Sequence, residues 1–326
     1  AQAFRLAFPA VVAAVLPMPL RAAVALLACA TAAGHASHSS RRRADHAVRA
    51  VRVGHAGRAA LQREALELVQ CNFSEAFRKQ DSSQCDGANR RAIFEDLKRT
   101  PFGSQEDCDF AARLLLGACE SSHGVYVQGI NKVARFATLS AIPQERFNVV
   151  YNEIVNFLVP NTGAGHIQQP ALWPIFTKLL EEIVPHRQLE NVLEFGKMGM
   201  FQVCLVEWTT LFECWLPPLA LRMEAFEVVE SDGDLGIVAL TLAIIKSRQS
   251  IFNGALDYID ENLDERWMLF PSRVTVKFRE LPDSAWSSCF GDYQMFLDAV
   301  KAATRQIQSG NVERHTKMVE TLEGKL

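Results

Sequence analysis

The sequence predicts an all-α protein on three observations. Beyond Arg58, apolar residues recur at helical spacing in nearly every segment. Prolines and Ser-x-x-Asp signals fall at the ends of those segments. The alternation a strand needs occurs once, in Val274-Thr275-Val276-Lys277-Phe278, and an isolated strand builds no sheet. A length of 326 residues, 49% hydrophobic and 22% charged, is ample for a large core.

Residues 1–60 are read apart from the fold. Their first forty positions are rich in Ala, Val and Leu, but Pro9, Pro17, Pro19 and Arg21 break the run. No stretch there reaches the ~18–20 apolar residues of a spanning helix. From Met18 a basic start, an apolar Ala22–Ala33 and small residues near Ser37 follow the layout of a secretory signal. The Ser- and Arg-rich, acid-poor stretch from Ser37 to Arg58 suits an organellar transit segment, which together would suit plastid entry. The alternative is a disordered leader or upstream translated sequence.

The body then reads helix by helix. Ser104 and Asp107 open a segment to Glu120 carrying Phe110, Leu114, Leu115 and Ala118 on one side. Val133, Phe136, Ala137 and Leu139 mark the next. Phe147, Val150, Tyr151, Ile154, Val155 and Leu158 follow Pro143 and stop at Pro160, and Trp173 to Ile183 closes at Pro185. Pro217-Pro218 opens a helix with Leu221, Ala225 and Val228, after which Ser231-Asp232-Gly233-Asp234 is expected to turn the chain. Leu235–Ile245 is apolar all round, as in a buried helix, and Ile251, Leu256, Ile259 and Leu263 line an amphipathic one. Phe290, Tyr293, Met295, Phe296, Val300 and Ile307 suggest a final helix in a C-terminal extension, 264–326.

Charge separates the two parts. Residues 1–60 hold eight Arg, no Lys and only Asp45, a local charge of +7, which leaves −10 for the rest of a chain whose total is −3. An acidic body argues against a broad nucleic-acid-binding face. Nor does it invite direct lipid binding, although a retained Arg-rich leader would approach anionic membranes. The eight cysteines include no C-x-x-C pair, so neither a zinc site nor a disulfide framework is expected, and free thiols in a reducing compartment are.

Two short segments carry chemistry. In Ile93-Phe94-Glu95-Asp96-Leu97-Lys98-Arg99-Thr100-Pro101, a helix places Ile93 and Leu97 on a buried face and Asp96 one turn from Arg99 and Thr100. Pro101 disfavours helix at Thr100, so Arg99 falls at a helix end, steadied by a carboxylate and aimed outward. In Tyr126-Val127-Gln128-Gly129-Ile130-Asn131, Gln128 both donates and accepts at a helix entrance, and Gly129 allows close approach. Taken singly, these segments also read as an exposed ion pair and a solvated loop. His123, nearby, is read as loop polarity.

Together, I-x-x-D-x-x-R-T followed by Y-x-Q-G-x-N in a helical acidic domain resembles the TBC family of Rab GTPase-activating proteins. Trp208-Thr209-Thr210-Leu211-Phe212, Leu216-Pro217, Ala220-Leu221-Arg222-Met223, Asp232-Gly233 and Val238–Lys246 look like further segments of that family. The likeness spans roughly residues 88–263. Two departures stand out. The family's opening Gly-x-Pro, Arg and Trp element has no clear counterpart, the first Trp being Trp173, and Glu224-Ala225 stands where Trp-Asp is usual.

The resemblance implies a two-lobed TBC-type domain over residues 61–263. It implies an arginine finger at Arg99 and a glutamine finger at Gln128, with Asp96, Thr100, Tyr126, Gly129 and Asn131 in support. The activity implied is GTPase activation in vesicle trafficking, cytoplasmic or peripheral on endomembranes, rather than an enzyme with its own nucleotide site. GTP and magnesium would belong to the partner GTPase, and no Walker-type phosphate loop is present in the chain. The alternative is a catalytically silent scaffold that binds a small GTPase.

Overall fold

A computed structural model describes residues 69–79, 85–160, 167–194, 199–260, 270–281 and 290–323. The leader readings on residues 1–60, together with Cys29 and Cys289, lie outside the described residues, as does the expected boundary at 263/264. Among the described residues the protein is all-α. An isolated antiparallel bridge between Val69 and Phe102 stands outside any strand.

Twelve helices are described: α1 Ser74–Lys79, α2 Gly87–Lys98, α3 Gln105–Ser121, α4 Asn131–Leu139, α5 Gln144–Leu158, α6 Trp173–Ile183, α7 Leu189–Glu194, α8 Met200–Thr209, α9 Leu219–Ser247, α10 Gln249–Asp260, α11 Phe270–Arg279 and α12 Tyr293–Glu323. Local chemistry sets several starts. Asp86 accepts from the Asn89 amide at 2.7 Å to cap α2. Ser104 accepts from the Asp107 amide at 3.1 Å to cap α3, as its Ser-x-x-Asp signal requires. Each such cap contributes about 1 kcal/mol.

Two helices organise the packing. Helix α3 lies against α2, α4 and α5, burying Leu114, Leu115, Leu116 and Ala118 completely. Helix α9 packs on α5, α6 and α12, with Val238 to Ile245 buried throughout. A fully buried aliphatic side chain of this kind contributes about 1.5–3 kcal/mol. Trp208, near the end of α8, is ringed edge-on by Phe157, Trp173, Phe176 and Phe201, and its indole N–H donates to Thr241 Oγ1 at 2.8 Å. That aromatic box anchors the end of α8, which borders the site.

Two expectations need correction. Val274–Phe278 is helical, within α11, because Phe270, Val274 and Phe278 share a buried face at four-residue spacing while Val276 is exposed. The expected turn at 231–234, by contrast, is present: Gly233, at φ 57° and ψ −135°, breaks the helical geometry and divides α9 into two helical parts. There Asp232 accepts from Tyr293 at 2.8 Å and pairs with Lys301, both on α12. The free-thiol expectation fails for four cysteines: Cys71 is bonded to Cys108 and Cys85 to Cys119, while Cys204 and Cys214 are buried. The partners stand 37 and 34 residues apart, and it is the packing against α3 that joins them. No described helix is long and apolar enough to cross a membrane.

Candidate functional site

Arg99 caps the C-terminal end of α2, its backbone N–H donating to the Asp96 carbonyl while that of Thr100 donates to the Leu97 carbonyl. Its guanidinium donates through Nη2 to Asp96 Oδ1 at 2.8 Å and through Nε to the Glu95 carbonyl at 3.1 Å. The side chain stays 67% exposed, whereas that of Asp96 is only 8% exposed. An anchored base therefore carries an accessible charge.

Asp96 does more than hold Arg99. Its other oxygen, Oδ2, accepts from the Tyr126 hydroxyl at 2.7 Å. Burial, then the Asp96 charge, push the Tyr126 phenol far above its ordinary range, so it remains a donor. On the same side, Asn131 Nδ2 donates to Thr100 Oγ1 at 2.8 Å, and Thr100 Oγ1 donates to the Asp96 carbonyl at 2.8 Å. Asp96, Arg99 and Thr100 thus meet Tyr126 and Asn131 across some thirty residues of chain. Gln128 sits between these last two, exposed, in the turn that enters α4.

The Gln128 segment is fixed along its length. Ser122 Oγ and the Tyr151 hydroxyl both donate to the Val125 carbonyl, at 3.0 and 2.7 Å. Asn89 Nδ2 donates to the Gly124 carbonyl at 2.7 Å, tying the start of α2 to the loop. His123 lies exposed at φ 55° and takes no part in this network. Gly129 holds φ 102°, and a Cβ there would approach Thr209 Oγ1 to 2.9 Å. Glycine is required twice over, by conformation and by contact.

Beneath Gly129 lies a buried polar layer that sequence reasoning missed. Glu207, fully buried in α8, accepts from the Trp215 amide at 3.0 Å and braces the turn that follows the helix. Arg222, 5% exposed, donates to the Thr210 carbonyl at 3.2 Å, and its guanidinium lies 4.7 Å from the centre of the Phe136 ring. Burial lowers Arg222 to about 10, which leaves it charged at neutral pH. The available signal was a lone Glu in the otherwise uncharged Met200–Thr209 segment.

Burial also pushes the Glu207 carboxyl up to about 8, opposed by the Trp215 and Cys214 hydrogen bonds. A carboxyl raised above its unfolded value keeps its proton on folding. Its contribution to stability is complete below about 4.5 and declines as pH rises to about 8. Glu207→Gln is expected to flatten this decline by on the order of a few kcal/mol between pH 5 and 8. Urea unfolding of both proteins across that range checks it, and parallel pH profiles would contradict it.

Among the described residues, no cluster of three or more His, Cys, Asp or Glu side chains could hold a metal ion. The site's chemistry is that of an exposed cation and an exposed amide on a rigid base, able to act on a ligand brought by another molecule. No protein-family model matches the chain, and neither a curated protein nor a solved structure does.

Proposed function

We propose that this chain accelerates GTP hydrolysis by a Rab-type small GTPase, with Arg99 and Gln128 supplied in trans as an arginine finger and a glutamine finger. The Asp96 carboxylate carries the reading: it holds Arg99 through one oxygen and Tyr126, two residues before Gln128, through the other. Phosphoryl transfer leaves a protein little covalent work, so positioned charge and positioned water dominate catalysis. Arg99 neutralises charge developing between the β- and γ-phosphates. Gln128 orients the attacking water. GTP and Mg²⁺ come with the partner, and the outcome is control of vesicle trafficking.

The preorganisation of both side chains supports this role, because donors fixed before the reaction need no reorganisation during it. The test is single-turnover phosphate release from a panel of Rab proteins with and without the full chain. Stimulation of at least one member is expected. Binding without stimulation would favour the silent scaffold.

A further inference from the structure

The turn after α8 has an unusual backbone. Leu211 and Phe212, neither of them glycine, stand consecutively in the left-handed region at φ 53° and 56°. Both are buried. Bulky residues persist there only where their surroundings determine the conformation, and such strain gathers at working sites. The surroundings here are polar. The Phe212 amide donates to the Glu207 carbonyl at 2.6 Å, the Trp215 amide to the Glu207 carboxyl, and Arg222 to the Thr210 carbonyl.

The conformation delivers Glu213 to a particular place. One of its oxygens, Oε2, lies 2.8 Å from Lys132 Nζ in the first turn of α4, and the other, Oε1, lies 3.8 Å from Arg222 Nη1. Lys132 is four residues past Gln128, and its amide closes the turn onto the Gly129 carbonyl at 3.1 Å. On the near side, Gly129 rests on Thr209. The Gln128 turn is therefore gripped from one side by α2, through Tyr126 and Asn131, and from the other by the turn after α8.

We infer that Glu213, held by the buried Arg222, is a positioning residue that clamps the Gln128 turn through Lys132. The inference rests on Gln128 being a working residue, and it adds the device that keeps Gln128 aimed. Removing the clamp lets the turn shift while the buried base of Arg99 stays in place. Misplacement of a catalytic group by about 1 Å can cost on the order of 10²-fold in rate.

The test uses the full chain with Glu213→Gln, which removes the charge of a half-buried side chain while keeping its shape. Hydrogen exchange of the free protein should show amides 128–132 exchanging about 10-fold faster or more, with α5 unchanged. In single-turnover GTP hydrolysis, the maximal stimulated rate should fall about 10- to 100-fold with little change in the concentration giving half-stimulation. Glu213→Gln should add nothing further to Gln128→Ala. Lys132→Met should reproduce the single-variant loss.

Unchanged exchange at 128–132 would overturn the clamp whatever the activity. So would full additivity with Gln128→Ala. Faster exchange in a protein whose wild type stimulates no GTPase would uphold the clamp and remove the GTPase reading, so the two can fail separately.

Discussion

Arg99→Ala should abolish stimulated GTP hydrolysis, a loss of about 10³- to 10⁵-fold for an arginine finger, while the protein melts as wild type does. The fold should tolerate the change because the side chain is 67% exposed. An ion pair in that setting contributes at most about 1 kcal/mol. Asp96 would keep its bond from Tyr126, so no buried carboxylate is stranded. Lysine at position 99 should recover little, since a point charge lacks the planar fork that grips two phosphate oxygens. Single-turnover rates beside thermal melts check both halves. Retained stimulation would dismiss the finger assignment, and loss of folding would make Arg99 a structural residue.

The second large effect concerns the disulfides. The Cys71–Cys108 and Cys85–Cys119 bonds close loops of 37 and 34 residues, and chain entropy assigns each roughly 4 kcal/mol. Opening either pair, by Cys71→Ser with Cys108→Ser or by Cys85→Ser with Cys119→Ser, should lower the melting midpoint by roughly 10 °C. Reductant should reproduce both losses together, and equal midpoints with and without it would contradict the prediction. The Cys85 bond stands directly before α2, whose far end carries Arg99, and joins it to Cys119, whose helix leads into the Gln128 loop. Disulfides persist in oxidising compartments. Trapping thiols in intact cells and reading the pairs by electrophoresis would therefore report whether the chain stays on the cytosolic side or enters the secretory route or a plastid.

Most of the helical framework was legible because helix ends are written locally. Ser104 caps α3, Pro143 opens α5, and Pro217-Pro218 precedes α9. What failed was ambiguous or non-local. Val274, Val276 and Phe278 satisfy a two-residue period, but Val274 and Phe278 satisfy a four-residue period equally, and only Phe270 breaks the tie. The break at Gly233 falls where the Ser231–Asp234 turn is expected, but nothing nearby in sequence discloses that Tyr293 and Lys301 steady Asp232 there. The cysteine pairs were illegible for the same reason, since spacing carries no information on which helices meet.

The site was half legible. The bond from Arg99 to Asp96 follows from one helical turn, and the structure contains it. That Tyr126 and Asn131 converge on the same helix end depends on α3 bringing two distant segments together. The layer of Glu207, Glu213 and Arg222 left only an indirect trace, a single charge set in an otherwise uncharged run.

The central claim is that this chain brings its own glutamine to the reaction, and the most direct measurement uses a partner that has lost its own. A responsive Rab protein whose switch glutamine is replaced by leucine would be assayed by single-turnover GTP hydrolysis with wild type and Gln128→Ala. A glutamine supplied in trans predicts that wild type still accelerates the crippled GTPase and that Gln128→Ala does not. Failure of wild type to accelerate it, in a preparation that stimulates the intact GTPase, would contradict the account.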